Sequence, residues 1–295
     1  MANETLNLFD NETNDGLETT HKFGGIWTHQ KLEVLSQYLS RFTTAFKNQS
    51  WAKTVYIDAY AGTGTCDIKV NQRIFSIAGF AKLALDTEPV FDELVLIEQD
   101  KTRFGHLERL REAFPKHKIH IYKGDCNQLL TEILSKHLST KHRGVIFVDP
   151  YGMNISWSVL ETIASSKKLD VWYLFPLSGL YRQAARNIED VDDGKAAAIF
   201  RLLGDSDWRT QLYRKEPIKD LFGKPESEQR LASVGEIMQY VTQRLQTIFP
   251  YVSKPMVLPR RGPPRFALYF AVSNSSPRAT DLAKKLSDYI LRLDG

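Results

Sequence analysis

The sequence contains little cysteine, with only Cys66 and Cys126 among 295 residues. Two cysteines cannot form a disulfide framework, nor a zinc site built from cysteine alone. The sequence also lacks an uninterrupted apolar run of about 18 residues, so no segment is predicted to span a membrane. The first 20 residues, MANETLNLFDNETNDGLETT, are polar and acidic overall rather than a basic segment leading into an apolar run, which is not typical of a secretory signal peptide. We therefore expect a soluble, cytoplasmic protein with reduced cysteines.

Two catalytic patterns are missing as well. The seven histidines show no metal-ligand spacing such as H-E-x-x-H, and no G-x-S-x-G motif occurs. We therefore predict neither a metal site nor a serine hydrolase. The net charge of +4 is only mildly basic, which allows a nucleic-acid partner without requiring one.

Short β-rich runs alternate with helical patterns through the first two thirds of the chain. The strand-like runs are KTVYIDAYAG, FDELVLIEQD, KIHIYKGDC, RGVIFVDPYG and LDVWYLFPL. Such alternation predicts five parallel strands covered by helices on both faces. The segment FSIAGFAKLALDTE is predicted to be one of these helices, with Ser76 as its N-cap.

The chain is predicted to divide into four regions. Residues 1–24 are polar and are expected to form a flexible tail. Residues 25–181 form the α/β core, and residues 182–248, which are mostly helical and charged, form an insertion. Residues 249–295 complete the core with a β-hairpin, made by YVSKPMVLP and RFALYFAVSN, and a last helix. This is the Rossmann-like layout of class I methyltransferases, which use S-adenosylmethionine.

The stretch YIDAYAGTGTCD indicates what the first strand binds. Gly62 and Gly64 remove side chains, so the backbone can approach a ligand closely. The third glycine of a dinucleotide fingerprint is absent, because Asp67 stands at that position, and no GKS or GKT of a P-loop follows. The acid before the glycines, Asp58, suits a ligand with an amino group. The alternative is a simple glycine-rich turn after a buried strand.

Acids also end the next two strands. Glu98 can accept hydrogen bonds from both ribose hydroxyls, and Asp125 can accept one from an adenine amine. Each acid alone could be a solvated residue or a helix cap, but ligands bind at the carboxyl ends of parallel strands. The series therefore predicts an S-adenosylmethionine site. Tyr60 and Cys126, which neighbour these acids, are included in the predicted site.

The fourth strand ends in FVDPYG and supplies the predicted catalytic residues. Asp149 can accept a hydrogen bond from a target amine, Pro150 stiffens the turn and leaves a carbonyl available, and Tyr151 can stack on a planar ring. A plain DPYG turn is the alternative. The pattern favours a planar substrate that carries a nitrogen.

With these motifs the chain resembles the three-Cys-motif partner family of bacteria. The matching pieces are KLEVLSQYL, YIDAYAGTG, LVLIEQD, GDCN, FVDPYG and RFALYFAVSN. The resemblance implies a class I methyltransferase fold and a partner protein that carries a three-cysteine cluster. DPYG also resembles the DPFG of tRNA guanine methyltransferases and, less closely, the DPPY of adenine methyltransferases.

Basic residues suggest contacts to substrate phosphate. Lys31, together with His29, stands near the start of the first helix, matches a basic position in the family's N-terminal motif, and could close over the cofactor or contact phosphate. Arg260, Arg261 and Arg265 fall in the predicted hairpin loop KPMVLPRRGPPRF. The alternative is that these side chains are merely solvated.

The leading hypothesis is an S-adenosylmethionine-dependent methyltransferase that acts on a nucleobase nitrogen in RNA or DNA. Two alternatives stay open. One is a methyltransferase of a small aromatic or peptide substrate, and the other is a non-catalytic, cofactor-binding scaffold for the three-cysteine-motif protein.

Overall fold

A computed structural model describes residues 26–63, 65–70, 73–215 and 228–292. The predicted N-terminal tail, 1–24, and Gly64 lie outside the described residues. The strands, in chain order, are β1 (Lys53–Asp58), β2 (Thr65–Val70), β3 (Arg73–Ala78), β4 (Glu93–Glu98), β5 (Ile119–Lys123), β6 (His142–Val148), β7 (Leu169–Phe175), β8 (Tyr213–Lys215), β9 (Glu228–Arg230), β10 (Tyr251–Val252), β11 (Met256–Leu258) and β12 (Phe266–Val272).

The helices cover both faces of the central sheet. They are α1 (Ile26–Phe46), α2 (Phe80–Leu85), α3 (Lys101–Ala113), α4 (Cys126–His137), α5 (Trp157–Ser166), α6 (Leu177–Gln183), α7 (Asp193–Leu203), α8 (Trp208–Leu212), α9 (Val234–Gln246) and α10 (Pro277–Arg292). Among the described helices, none is long and apolar enough to cross a membrane.

The central sheet has the strand order β5-β4-β1-β6-β7-β12-β10. Its first five strands are parallel, and β12 runs antiparallel beside β7. The predicted fold class is therefore confirmed: this is a class I methyltransferase-like α/β fold. Strand order reverses beside β1, which is where open parallel sheets bind ligands.

Alternation along β1 explains how the strand is buried on both sides. Val55 and Ile57 face the core formed with α4 and α5, whereas Tyr56 faces the core formed with α1 and α2. All three side chains are buried. Two apolar faces on one strand require helices on both sides of the sheet.

The C-terminal hairpin differs from its prediction in one respect. The run YVSKPMVLP forms two short strands, β10 and β11, and both pair antiparallel with β12. The segment between them, Ser253 to Pro255, is not strand. Pro255 lacks a backbone N–H and so cannot take part fully in a ladder.

The helix predicted for FSIAGFAKLALDTE is wrong in its first half. Residues 73–78 form β3, which pairs antiparallel with β2, and the helix begins only at Phe80 with Gly79 as its N-cap. Ser76 is thus a strand residue rather than an N-cap. RIFSIA contains two isoleucines and a phenylalanine, residue types that are enriched in strands, and its pairing with β2 decides the outcome.

In the region 182–248, the described residues, 182–215 and 228–248, are mostly helical, but they also form the small antiparallel pair β8–β9. Its helix α7 ends at Gly204, whose φ of +74° continues the chain in the left-handed region. The boundaries of the four predicted regions stay predictions.

Candidate functional site

The carboxyl ends of four parallel strands bring the predicted acids to one edge of the sheet. Asp58 ends β1, Glu98 ends β4, Asp125 follows β5 by two residues, and Asp149 directly follows β6. Because β1 pairs with both β4 and β6, Asp58, Glu98 and Asp149 lie at the ends of adjacent strands.

Asp58 is the most unusual of these acids. The residue is 1% exposed, and its Oδ1 accepts a hydrogen bond from the backbone N–H of Tyr60 at 3.2 Å. Its Oδ2 is buried and makes no hydrogen bond of normal geometry among the described residues, and the buried Tyr56 hydroxyl, whose pKa Asp58 helps to raise, is likewise unpaired. A buried carboxylate oxygen without a donor costs free energy, so this atom points to a missing ligand group.

Burial raises the pKa of Asp58 to about 7. The charges of Asp149 and Glu98 contribute to this rise, whereas the Tyr60 hydrogen bond and the Lys31 ammonium oppose it. Near neutral pH the carboxyl is therefore poised to ionise when a cationic group arrives beside it.

Glu98 holds the glycine loop. Its Oε2 accepts a hydrogen bond from the backbone N–H of Gly62 at 2.9 Å, and its Oε1 accepts from that of Asp100 at 2.8 Å. Gly62 has φ of +64°, a conformation that favours glycine. Arg103 Nε also lies 3.3 Å from Oε1, and because a carboxylate offers about four lone-pair directions, Glu98 keeps capacity for one ligand hydroxyl.

Asp125 is also a helix cap. Its Oδ1 accepts from the backbone N–H and from the side-chain amide of Asn127, both at 2.9 Å, at the start of α4. Both interpretations of Asp125 thus stay open, because capping uses one carboxylate oxygen and leaves Oδ2 for a ligand.

Asn127 is a site residue that the sequence analysis missed. Its Oδ1 accepts from the backbone N–H of Ser156 at 2.8 Å, which ties the start of α4 to the loop after β6. Tyr60 makes a similar tie, since its hydroxyl donates to the Asn154 carbonyl at 2.6 Å. Asn127 is the last residue of the GDCN motif, so the sequence pointed to its position. Its contact with the loop after β6 is visible only in the folded structure.

A cleft of about 390 Å³ opens between these loops, a volume within the usual range for small-molecule sites. Of the predicted site residues, Tyr60, Glu98, Cys126 and Tyr151 line the cleft, whereas Asp58, Gly62, Asp125 and Asp149 lie outside its lining. Cys126 is buried and carries a free thiol. Burial raises the pKa of its thiol to about 12, with the charges of Asp125 and Asp58 adding to the effect, so it is a poor nucleophile at neutral pH.

Lys31 is a buried residue of α1 rather than an exposed one. It lies within α1, is 5% exposed, and its Nζ donates to Asp149 Oδ2 at 2.5 Å. The Lys31 ammonium also lies 5.3 Å from the ring centroid of Phe80. The ammonium is thus held by a carboxylate that is 24% exposed, in a partly buried ion pair, and the phosphate contact of Lys31 stays a prediction.

Pro150 is buried beside the pair, and Tyr151 is half-exposed. The Arg103 guanidinium lies 4.4 Å from the centroid of the Tyr151 ring, and Tyr60 meets that ring edge-on with centroids 6.4 Å apart. Arg103 thus covers one face of the ring, and stacking of a substrate requires the other face.

The three predicted arginines lie at the same edge of the sheet. Ala267, near the start of β12, is paired with Phe175 at the end of β7, so the loop before β12 is at the carboxyl edge. Arg260, Arg261 and Arg265 are all exposed there. The Arg265 guanidinium lies 4.9 Å from the Trp27 ring centroid, which places this loop beside the start of α1.

Comparisons with known proteins show a likeness of fold alone. No protein-family model matches the chain, and no curated protein matches it. Among solved structures, protein LPL1258 of Legionella pneumophila is 12% identical, with 90% of this chain and 93% of that chain covered and a TM-score of 0.49. The putative methyltransferase yhhF of Escherichia coli is 10% identical, with 80% and 86% covered and a TM-score of 0.33. TYW2 of M. jannaschii, solved in complex with AdoMet, is 7% identical, with 85% and 77% covered and a TM-score of 0.35.

Proposed function

We propose that the protein binds S-adenosylmethionine at the carboxyl edge of its sheet. The observation that carries this proposal is Asp58 Oδ2, a buried acceptor at the end of the central strand with no donor among the described residues. The methionine ammonium of the cofactor would supply that donor and a compensating positive charge. The next strand ends in Glu98, which suits the ribose hydroxyls, and Asp125 suits the adenine amine.

We further propose methyl transfer to a nitrogen of a nucleobase in RNA or DNA. S-adenosylmethionine supplies a methyl group that is activated by its sulfonium centre. Asp149 holds the target nitrogen by accepting a hydrogen bond from its N–H, and Lys31 fixes the carboxylate through Oδ2, which leaves Oδ1 for the substrate. Pro150 offers a carbonyl, and Tyr151 stacks on the base. Positioning of this kind is a large part of catalysis in transfer reactions.

The arginine loop supports a nucleic-acid substrate. Exposed arginines on the same edge as Asp149 can contact phosphates while a base enters the site. This arrangement favours a polyanion over a small aromatic or peptide substrate, neither of which needs a positively charged loop beside the catalytic residues.

The partner implied by the family resemblance belongs to the same proposal. A protein with a three-cysteine cluster would act together with this chain, and the region 182–248 is its proposed contact surface. Exposed apolar side chains in that region, Phe200 and Leu231, support this assignment. Without catalysis, the same surface would serve the scaffold alternative.

The experiment is radiolabelled methyl transfer into RNA, DNA and protein from cells that lack the gene, with and without the partner. Asp149→Asn keeps an acceptor for Lys31 but removes the charge, and we expect transfer to fall by about a hundredfold, which corresponds to roughly 3 kcal/mol. S-adenosylmethionine affinity should stay within a few-fold. The exposed Glu132→Gln on α4 is the matched control and should transfer normally.

Each outcome separates the proposals. Label in protein alone contradicts the nucleobase substrate, and no label in any fraction by a protein that binds the cofactor supports the scaffold. Label that Asp149→Asn leaves unchanged contradicts the role of Asp149.

A further inference from the structure

Three histidines converge on one buried glutamate at the amino edge of the sheet, opposite the proposed cofactor site. Glu93 begins β4, His120 lies on β5, His137 ends α4 and His142 begins β6. Glu93 is 5% exposed, and both His137 and His142 are 8% exposed. Glu93, Val95 and Ile97 are two residues apart along β4, so their side chains lie on the same face of the sheet, the face that packs against α4.

The two oxygens of Glu93 face different groups. Oε1 lies 2.6 Å from Lys118 Nζ and 3.7 Å from His142 Nε2. Oε2 lies 3.4 Å from His137 Nδ1 and 3.6 Å from His120 Nε2. One oxygen is thus neutralised by a lysine, while the other lies between two imidazoles.

The spacing around Oε2 matches a metal site. In a tetrahedral zinc site with ligand bonds of about 2.0–2.1 Å, neighbouring ligand atoms are roughly 3.3 Å apart. The 3.4 and 3.6 Å separations are close to that value, and the three ligand atoms lie within 4.8 Å of one another. His120 Nε2 is buried and has no hydrogen-bond partner within the described part of the chain.

The surrounding hydrogen bonds suit ligation by His137 and exclude His142. The Tyr122 hydroxyl lies 2.7 Å from His137 Nε2, so it can accept from Nε2–H while Nδ1 offers its lone pair. In His142, Nδ1 accepts a hydrogen bond from the Ser139 backbone N–H at 3.1 Å. The remaining nitrogen of a neutral His142 therefore carries a proton and cannot ligate a metal.

We propose that Glu93 Oε2, His120 Nε2 and His137 Nδ1 bind a zinc ion, with water as the fourth ligand. Imidazole nitrogens with one carboxylate form a donor set that zinc accepts. The Lys118 side chain is more than half exposed and can turn away from the cation. The ion would join β4, the edge strand β5 and the end of α4, at the edge of the sheet opposite the proposed cofactor site.

The test is zinc titration of the untagged, chelator-treated full chain, followed by calorimetry and by the metal content after gel filtration. Wild type should bind one zinc ion per chain, and His120→Gln and His137→Gln should each lower the affinity at least tenfold. His142→Asn keeps an acceptor for the Ser139 N–H and should bind within about threefold of wild type. His106→Gln, on the exposed face of α3, is the control for loss of a surface histidine.

Circular dichroism establishes that each variant is folded, and the partly exposed His120 gives a variant with little risk to the core. Zinc should raise the thermal midpoint of wild type but not that of His120→Gln. Equal zinc binding by wild type and by the folded His120→Gln variant overturns the site, and so does absence of zinc binding by wild type. A His142→Asn variant that loses binding as fully as His137→Gln overturns the assignment of the three ligands.

Discussion

At the scale of single residues, Asp58 is costly to bury and is the proposed ligand of the cofactor's amino group. Its carboxyl is buried at the end of β1, where one oxygen has no donor among the described residues, and burial raises its pKa to about 7. Between the ordinary aspartate pKa and 7, the folded state holds a proton that the unfolded state has released. The contribution of this group to stability therefore falls as pH rises toward 7 in the unliganded protein.

The same group predicts how S-adenosylmethionine affinity depends on pH. An ammonium ligand requires the ionised carboxylate, so affinity should fall as pH is lowered from 7 to 5.5, approaching tenfold per unit well below 7. Calorimetry over this range measures the effect, since an α-amino group with an ordinary pKa of about 7.7–8.0 stays mostly protonated there. Asp58→Asn should bind more weakly and lose the pH dependence, and an equal slope in both proteins would contradict the assignment.

The sequence predicts strand-end acids better than it predicts their partners. Asp58, Glu98 and Asp149 could be placed because apolar runs fix where strands end. The contact of Lys31 with Asp149 joins residues 118 positions apart, and no local pattern encodes it. For the same reason, the convergence of His120 and His137 on Glu93 could not be predicted from spacing.

At the scale of elements, the turn after α7 depends on close packing against α5. Gly204 adopts φ of +74°, and a Cβ atom there would lie 2.2 Å from Cγ of Trp157, the first residue of α5. Neither the left-handed conformation nor this contact tolerates a side chain without adjustment.

Gly204→Ala should therefore lower the free energy of unfolding by about 2–4 kcal/mol, which combines backbone strain with overpacking. Gly262→Ala is the matched control, because Gly262 also has a positive φ of +90°, but a Cβ atom there would meet no atom of the described residues within 4 Å. The control should lose only about 1 kcal/mol. Urea unfolding measures both, and equal losses would show that Trp157 does not restrict this turn.

The period of the hydrophobic pattern and the length of each apolar run decide which strands and helices can be predicted from the sequence. The five parallel strands are short apolar runs bounded by loops, and the structure confirms them. The segment FSIAGFAKLALDTE failed because a strand, RIFSIA, runs directly into a helix across Gly79, so the apolar residues of both fit one helical pattern. Antiparallel pairing with β2, which decides the outcome, is not visible within the segment itself.

At the scale of the whole molecule, the two edges of the sheet have different chemistry. The carboxyl edge carries the acids of β1, β4 and β6 together with the exposed arginine loop, whereas the amino edge carries the proposed zinc site. Because the sheet separates the two sites, removal of zinc should change stability without changing which residues contact the cofactor.

The most direct measurement of the central claim is a crystal structure of the protein with S-adenosylhomocysteine. We predict the ligand in the cleft lined by Tyr60, Glu98 and Cys126. Its amino group should lie within about 3.2 Å of Asp58 Oδ2 and its ribose hydroxyls at Glu98. Its sulfur should face Asp149. A ligand bound with its amino group away from Asp58, or no ligand in this cleft at saturating concentration, would contradict the claim.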